Sequence, residues 1–126
     1  MERVVIMAKQ EIEEGKAPAI LSYLLVGIIW FFADEKIRNN SFTKFHVKQG
    51  LVLLIAAVVY SIALEILLSI ILFPVRMIGL GWEIGQVLSI LYYVPIVFII
   101  IGIINALNGS EKELPVIGHF AKNFKF

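Results

Sequence analysis

The sequence predicts an all-α integral membrane protein: a helical bundle of three transmembrane helices with short interfacial helices at its N- and C-terminal ends. Three observations predict it. Apolar residues make up 60% of the 126 residues and charged residues only 17%, against roughly 45–50% and about 25% in soluble domains, and mean hydropathy is +0.89. Three stretches approach the roughly 20 apolar residues that a helix needs to cross the hydrocarbon layer. Finally, Leu51–Val59 and Ile96–Ile104 carry no charged or amide side chain on any face. A soluble surface helix keeps a polar face, and a domain this small cannot enclose three helices that are apolar all round.

The same composition excludes a disordered chain and a nucleic-acid binder. With no cysteine, disulfides, thiolate metal sites and cysteine nucleophiles are excluded as well. Eleven Lys+Arg against ten Asp+Glu leave a net charge of +1, so bulk charge identifies no partner.

The elements follow in order along one membrane domain, residues 1–126. Residues 2–14 form an interfacial helix, with Val4, Val5, Ala8 and Ile12 near one face and Glu11, Glu13 and Glu14 on the rest. Either Met1 or Met7 serves as a start, since MAKQEIEEGK resembles many natural N-termini. Gly15 stops this helix and Pro18 suits the first turn of the next. The first span covers 17–33, uncharged and at the short end of the range. Its apolar run is longer than a signal-peptide core and ends WFFADEK, with no small-residue cleavage site.

Asp34–Gln49 is the richest polar region. Asn39, Asn40 and Ser41 read as a turn, with Ser41 capping a helix from Phe42. Residues 42–49 are interfacial and run directly into the second span, 50–73. Pro74–Trp82 makes a hairpin turn, with Trp82 suited to the headgroup layer. The third span is 84–107, where Pro95 either kinks the helix or leaves a carbonyl free. A loop, NGSEKELP, leads to a last interfacial segment, 116–125, in which Ile117, Phe120 and Phe124 recur at helical spacing and lysines snorkel.

With three spans, the N-terminus and the 74–83 turn share one side with four Lys/Arg, and the 34–49 loop and the tail share the other with seven. The positive-inside rule then places a multi-pass protein in the cell membrane with its N-terminus outside and its C-terminus in the cytoplasm.

Among the polar residues inside the spans, Glu65, Ser61, Ser69 and Asn105 are the candidates for a membrane-embedded role. Glu65 is eight positions before Phe73, about 12 Å from that end of the span at 1.5 Å per residue and near mid-bilayer. A central acid costs about 2.5 kcal/mol or more on insertion scales. Ser61 and Ser69 lie one turn away on the same face, which should turn toward protein. One reading makes Glu65 a proton or ion site. The other makes it a hydrogen-bonded packing acid, with Tyr23, Tyr92, Tyr93 or Asn105 as partner. Histidine as a residue type titrates near neutrality and binds metals, and joining His46 to His119 in a metal site needs the loop and tail to meet. No enzyme motif of the HExxH, Walker or GxSxG kind is present. The expectation is therefore no enzyme, no catalytic residue, no metal and no cofactor.

Short motifs at three places carry a family resemblance. They are Ala19-x-Leu21-Ser22-Tyr23, then Phe45-His46-x-x-Gln49-Gly50, and then Ile103-x-Asn105-Ala106-x-Asn108-Gly109 followed by Leu114-Pro115-Val116-Ile117-Gly118. Over roughly residues 17–124 the chain resembles a prokaryotic family of small membrane proteins similar to the Tic-twenty group, whose chloroplast members belong to the inner-envelope protein-import machinery. The resemblance implies a compact helical membrane module, with Phe45, His46, Gln49, Asn108, Gly109, Pro115 and Gly118 in characteristic positions. It implies no reaction. The functional expectation is a structural or assembly module of a membrane complex. Its alternative is a channel, transporter or protein-translocation component with a polar path near Glu65. The partners expected are the lipid bilayer and a second copy or another membrane protein, and no nucleic acid.

Overall fold

A computed structural model describes residues 2–126, apart from the side chains of residues 2–4 and 7. Met1, one of the two candidate starts, and the Val4 side chain of the expected N-terminal apolar face lie outside the described residues. The described chain is helical, without strands. It consists of α1 (Glu2–Ser22), α2 (Val26–Ala33), a single turn α3 (Glu35–Arg38), α4 (Ser41–Met77), α5 (Gly81–Leu88) and α6 (Val94–Leu107). A 3₁₀ segment, Ser89–Tyr93, joins α5 to α6, and another, Gly118–Asn123, closes the tail.

Two helical stretches are long and apolar enough to cross a membrane, Ser41–Met77 and Gly81–Leu107, and both are largely exposed. The third expected span, 17–33, is not one helix. α1 runs through Gly15 and Pro18, where a stop and a start were expected, and ends at Ser22. The chain then reverses at residues 23–25, with Leu25 in the left-handed region at φ 71°, and α2 folds back along the end of α1.

The cause is local. The Ser22 hydroxyl donates to the carbonyls of Ala19 (2.6 Å) and His46 (3.0 Å), which ties the end of α1 to α4. Gly27 then lies against the α1 backbone so closely that a Cβ there would sit 2.1 Å from the Ser22 nitrogen. Eight residues of α2 rise only about 12 Å, far short of a bilayer.

The 37-residue α4 is the spine, about 55 Å long. It is capped by Asn40, not Ser41, with the Asn40 side chain accepting from the Thr43 N–H at 3.0 Å. As expected, it enters the apolar span without a break. It also passes through Pro74, so the turn falls later than expected, at residues 78–80 where Gly79 takes φ 84°. Pro95 produces a 3₁₀ tightening ahead of α6. It leaves the Leu91 carbonyl without a partner four residues on, and Tyr60 of α4 donates its hydroxyl there at 2.6 Å.

Packing is unequal along α4. Between Ser41 and Leu53 it is buried on several faces, through Phe42, Thr43, His46, Val47, Gln49, Gly50, Val52 and Leu53. Beyond Leu53 only Leu64, Leu68 and Leu72 are buried, one stripe at four-residue spacing that meets Leu88 of α5. Two further clusters hold the upper end. Ala19, Tyr23, Phe42, Leu53, Ala106 and Leu114 join α1, α4, α6 and the tail, and Ile28, Phe31, Ile37 and Val47 join α2, α3 and α4.

Candidate functional site

The polar side chains that the fold brings together sit at the upper end of α4, before residue 50 and above its apolar span. Ser22, Asn40, Thr43, His46 and Gln49 are all buried there. Each is satisfied, as a buried polar group must be if it is not to destabilise the fold: among the described residues no buried side-chain nitrogen or oxygen lacks a partner.

His46 is the hub. Its Nε2 lies 2.9 Å from the Ser110 carbonyl, which can only accept, so Nε2 carries the proton. The Tyr23 hydroxyl then donates to Nδ1 at 2.6 Å. The ring is enclosed edge-on by Phe42 and Phe45, at 4.7 and 5.1 Å between centroids. Burial pushes the imidazole down to about 4, with the Ser110 hydrogen bond opposing the shift, so it is neutral at pH 7. Both ring nitrogens are occupied, and His119 stacks on Phe120 in the tail. The two histidines therefore do not share a metal site.

Gln49 sits one turn below, and its amide bridges two points of the tail backbone. Nε2 donates to the Gly118 carbonyl at 3.0 Å and Oε1 accepts from the Leu114 N–H at 2.9 Å. Gly118 is needed for this approach, because a Cβ there would lie 2.7 Å from Gln49 Oε1. The turn between these points includes Pro115 and places Val116 at φ 68°, a strained conformation for a β-branched residue. Asn105 belongs to this end rather than to mid-span, and its amide reaches the Lys112 carbonyl at 3.5 Å. Asn108 closes α6 and Gly109 takes φ 68° in the turn beyond it. The last residue, Phe126, packs against Phe31 and Phe32 of α2, with the Lys48 ammonium 5.3 Å from its ring centroid.

The opposite flank of α4 is tied to α1. Asn40 donates to the Glu11 carbonyl (2.8 Å), Ser41 to the Glu11 carboxylate (2.6 Å) and Thr43 to the Gly15 carbonyl (3.2 Å). Gly15, expected to end a helix, instead admits Asn40 and Thr43 to within 2.6 Å of where its Cβ would be. These tethers were not expected from the sequence. The signal was present in Asn40-x-x-Thr43, the spacing of a helix cap whose second side chain is left over to reach elsewhere. Burial and the nearby Glu11 carboxylate push the Glu111 carboxyl up.

Glu65 is separate from all of this. It is exposed on α4, with Ser61 and Ser69 exposed on the same face, and it takes the Tyr92 hydroxyl at 2.5 Å. Of the four partners named for it, Tyr92 is the one the fold supplies.

No curated protein and no solved structure matches the chain. A family model described as the magnetosome magnetite crystal formation protein family (MamF/MmsF) matches residues 16–121. That match overturns the likeness to the Tic-twenty group. The residues behind the likeness, Phe45, His46, Gln49, Asn108, Gly109, Pro115 and Gly118, close the polar cap, and a way of closing a helical cap does not define a family. With the match running from within α1 to the tail, this chain belongs to the magnetosome magnetite crystal formation protein family.

Proposed function

We propose that this protein is a non-enzymatic structural or assembly module of a membrane that takes part in magnetite crystal formation, the role its family description names. In this reading α4 and α5–α6 cross the bilayer as a hairpin. The α1–α2 pair enters from the capped end and turns back, and the cap is held on the cytoplasmic face.

One observation carries the reading. The tethers from Glu11 and Gly15 to Asn40, Ser41 and Thr43 set the N-terminal helix beside the first loop, where opposite sides were expected. Ten of the eleven Lys+Arg then fall at the capped end, and Arg76 alone at the α4–α5 turn. That is a far stronger positive-inside bias than seven against four, and it favours a cytoplasmic cap with both termini on one side. Exposed Ile62, Ile66, Ile70 and Phe73 on α4, with Val87, Ile90, Val97 and Ile100 facing out from the second arm, suit a surrounding of lipid.

The chain has no cysteine, so single cysteines report the arrangement directly. Gly79→Cys should react with an impermeant maleimide in intact cells. Lys9→Cys and Lys122→Cys should react only after permeabilisation. Reaction of those two from opposite sides would remove this topology. For the role itself, mild-detergent purification should yield a stable complex with other membrane proteins, and in a magnetite-forming host lacking its own family member the chain should restore normal magnetite crystal formation. Ion or solute flux from the pure protein in vesicles, lost in Glu65→Gln, would replace the assembly reading with the channel one.

A further inference from the structure

The α1–α2 hairpin reverses at residues 23–25 with its tip apolar and half exposed, at Leu24, Leu25 and Val26. Beyond that tip, on the face it leaves, no further α-helix among the described residues lies beside α4 and α6. A cleft of about 270 Å³ opens there, walled by Leu25, Ile28, Leu53, Ala57, Pro95 and Ile99. A second cleft of about 280 Å³ shares Leu53, Ala57 and Pro95 with it, so the two meet where α4 passes the start of α6.

The polar atoms at the inner end of the first cleft are already engaged. The Ser22 hydroxyl is bound to carbonyls and the Tyr23 hydroxyl to His46. The lining is otherwise apolar, so water in this space would gain few hydrogen bonds. Left empty, it forfeits the dispersion contacts of its walls. We propose that the cleft holds an acyl chain of a bilayer phospholipid, drawn from the leaflet opposite the polar cap and seated under the tip of the re-entrant hairpin. The occupant follows from position: the hairpin tip reaches α4 only at the level of Gly50 to Leu54, and beyond it the walls of the cleft stand within the roughly 30 Å hydrocarbon layer, where acyl chains fill the column. The proposal rests on the re-entrant topology above.

The test uses the full chain in vesicles of phosphatidylethanolamine and phosphatidylglycerol that include a phospholipid with a photoactivatable acyl chain. Wild-type protein should be labelled at Leu53–Ala57 and Pro95–Ile99. In mild detergent it should retain phospholipid by native mass spectrometry, and Ala57→Phe, which fills the cleft, should lower the retained fraction roughly tenfold. Ile62→Phe, on the open face, should leave it unchanged. Labels confined to the open face between Ile62 and Phe73 would overturn the proposal. So would a disulfide between two Ala57→Cys chains, which would put a second copy in the cleft. Cysteine reactivity at positions 9, 79 and 122 separates the two readings: if it holds while the labelling fails, only the lipid seat is lost.

Discussion

The two halves of α4 are built on different principles. From Ser41 to Leu53 the helix is enclosed by α1, α2 and the tail, and Thr43, His46 and Gln49 reach fixed backbone atoms there. From Leu54 to Met77 its buried side chains are three leucines at four-residue spacing. Two hydrogen bonds at the surface, Tyr60 to the Leu91 carbonyl and Tyr92 to Glu65, link it to the second arm, and most of the rest faces outward. The upper half is thus specified by hydrogen bonds whose loss strands buried groups, which is expensive. The lower half is specified by little more than apolarity, which a bilayer accepts in many arrangements. A single helix therefore serves as both the framework of a folded cap and a generic membrane anchor.

The sharpest way to break that contrast is at the glycines. At Gly50 a Cβ would lie 2.4 Å from the Ser22 carbonyl oxygen, a backbone atom that cannot swing aside. Gly50→Val should destabilise the cap by about 3 kcal/mol or more, at the upper end of overpacking effects, and should sharply reduce the chain recovered from membranes. Gly85 in the lower half has only Leu72 Cδ1 at 3.8 Å. Gly85→Ala should be neutral or stabilising by up to about 1 kcal/mol through helix propensity. Thermal unfolding in detergent distinguishes the two, and equal losses would contradict the division of α4.

Next in size is the tail. Gln49→Ala leaves the buried Leu114 N–H and Gly118 carbonyl without partners. At about 1–3 kcal/mol for each of the two unsatisfied groups, the expected loss is roughly 2–6 kcal/mol. It should show as protease cleavage within residues 110–123 while α4 stays protected. Gln49→Glu keeps the shape and the acceptor but removes the donor to Gly118, so its effect should fall between wild type and alanine. Cleavage spread evenly over the chain would mean that Gln49 supports the whole bundle rather than the tail alone.

These residues also show how far the sequence could be read. The apolar arms were legible because an uninterrupted apolar face needs no partner to be identified. The Phe45-His46-x-x-Gln49 element and the Leu114–Gly118 ending stood out in the sequence, yet their relation did not: Gln49 and Gly118 are 69 residues apart, and no local pattern encodes that pairing. The first span failed for a similar reason. Its composition suits a crossing helix, but the Ser22 and Tyr23 hydroxyls have partners on α4 that lie 24 and 23 residues away, and those bonds together with Gly27 favour a reversal that hydropathy does not register. The topology expectation rested on that third crossing: in the proposed two-crossing arrangement three cationic residues, Arg3, Lys9 and Lys16, change sides.

Acid should loosen the cap by a smaller amount. The unfolded imidazole takes its proton near 6.5, whereas burial keeps the folded one neutral down to about 4. Between those values the unfolded state binds more protons, so stability falls as pH falls and levels off below about 4. At about 1.4 kcal/mol per pH unit the full effect is on the order of 3 kcal/mol, and at pH 6 it is about 0.8 kcal/mol. His46→Gln should flatten the dependence of the unfolding midpoint between pH 6.5 and 4, whatever its own stability. A slope unchanged in that variant would assign the acid sensitivity to other groups, Glu111 among them.

The smallest effect is expected at the most conspicuous residue. Glu65 is exposed and linked to α5–α6 by the Tyr92 hydroxyl, outside the cap and outside the Leu64–Leu68–Leu72 stripe. If it is a packing acid, a glutamine can accept the same hydroxyl. Glu65→Gln should then change stability by less than about 1 kcal/mol, and its coupling to Tyr92→Phe in a double-mutant cycle should be near the ~0.6 kcal/mol typical of hydrogen bonds between membrane helices. Leu68→Ala, one turn below on the stripe, should cost more, about 2 kcal/mol. A coupling above ~2 kcal/mol would mean a carboxylate shielded from both lipid and water. That requires a partner surface over the Ser61–Glu65–Ser69 face, and the lower half of α4 would then be as specific as the upper.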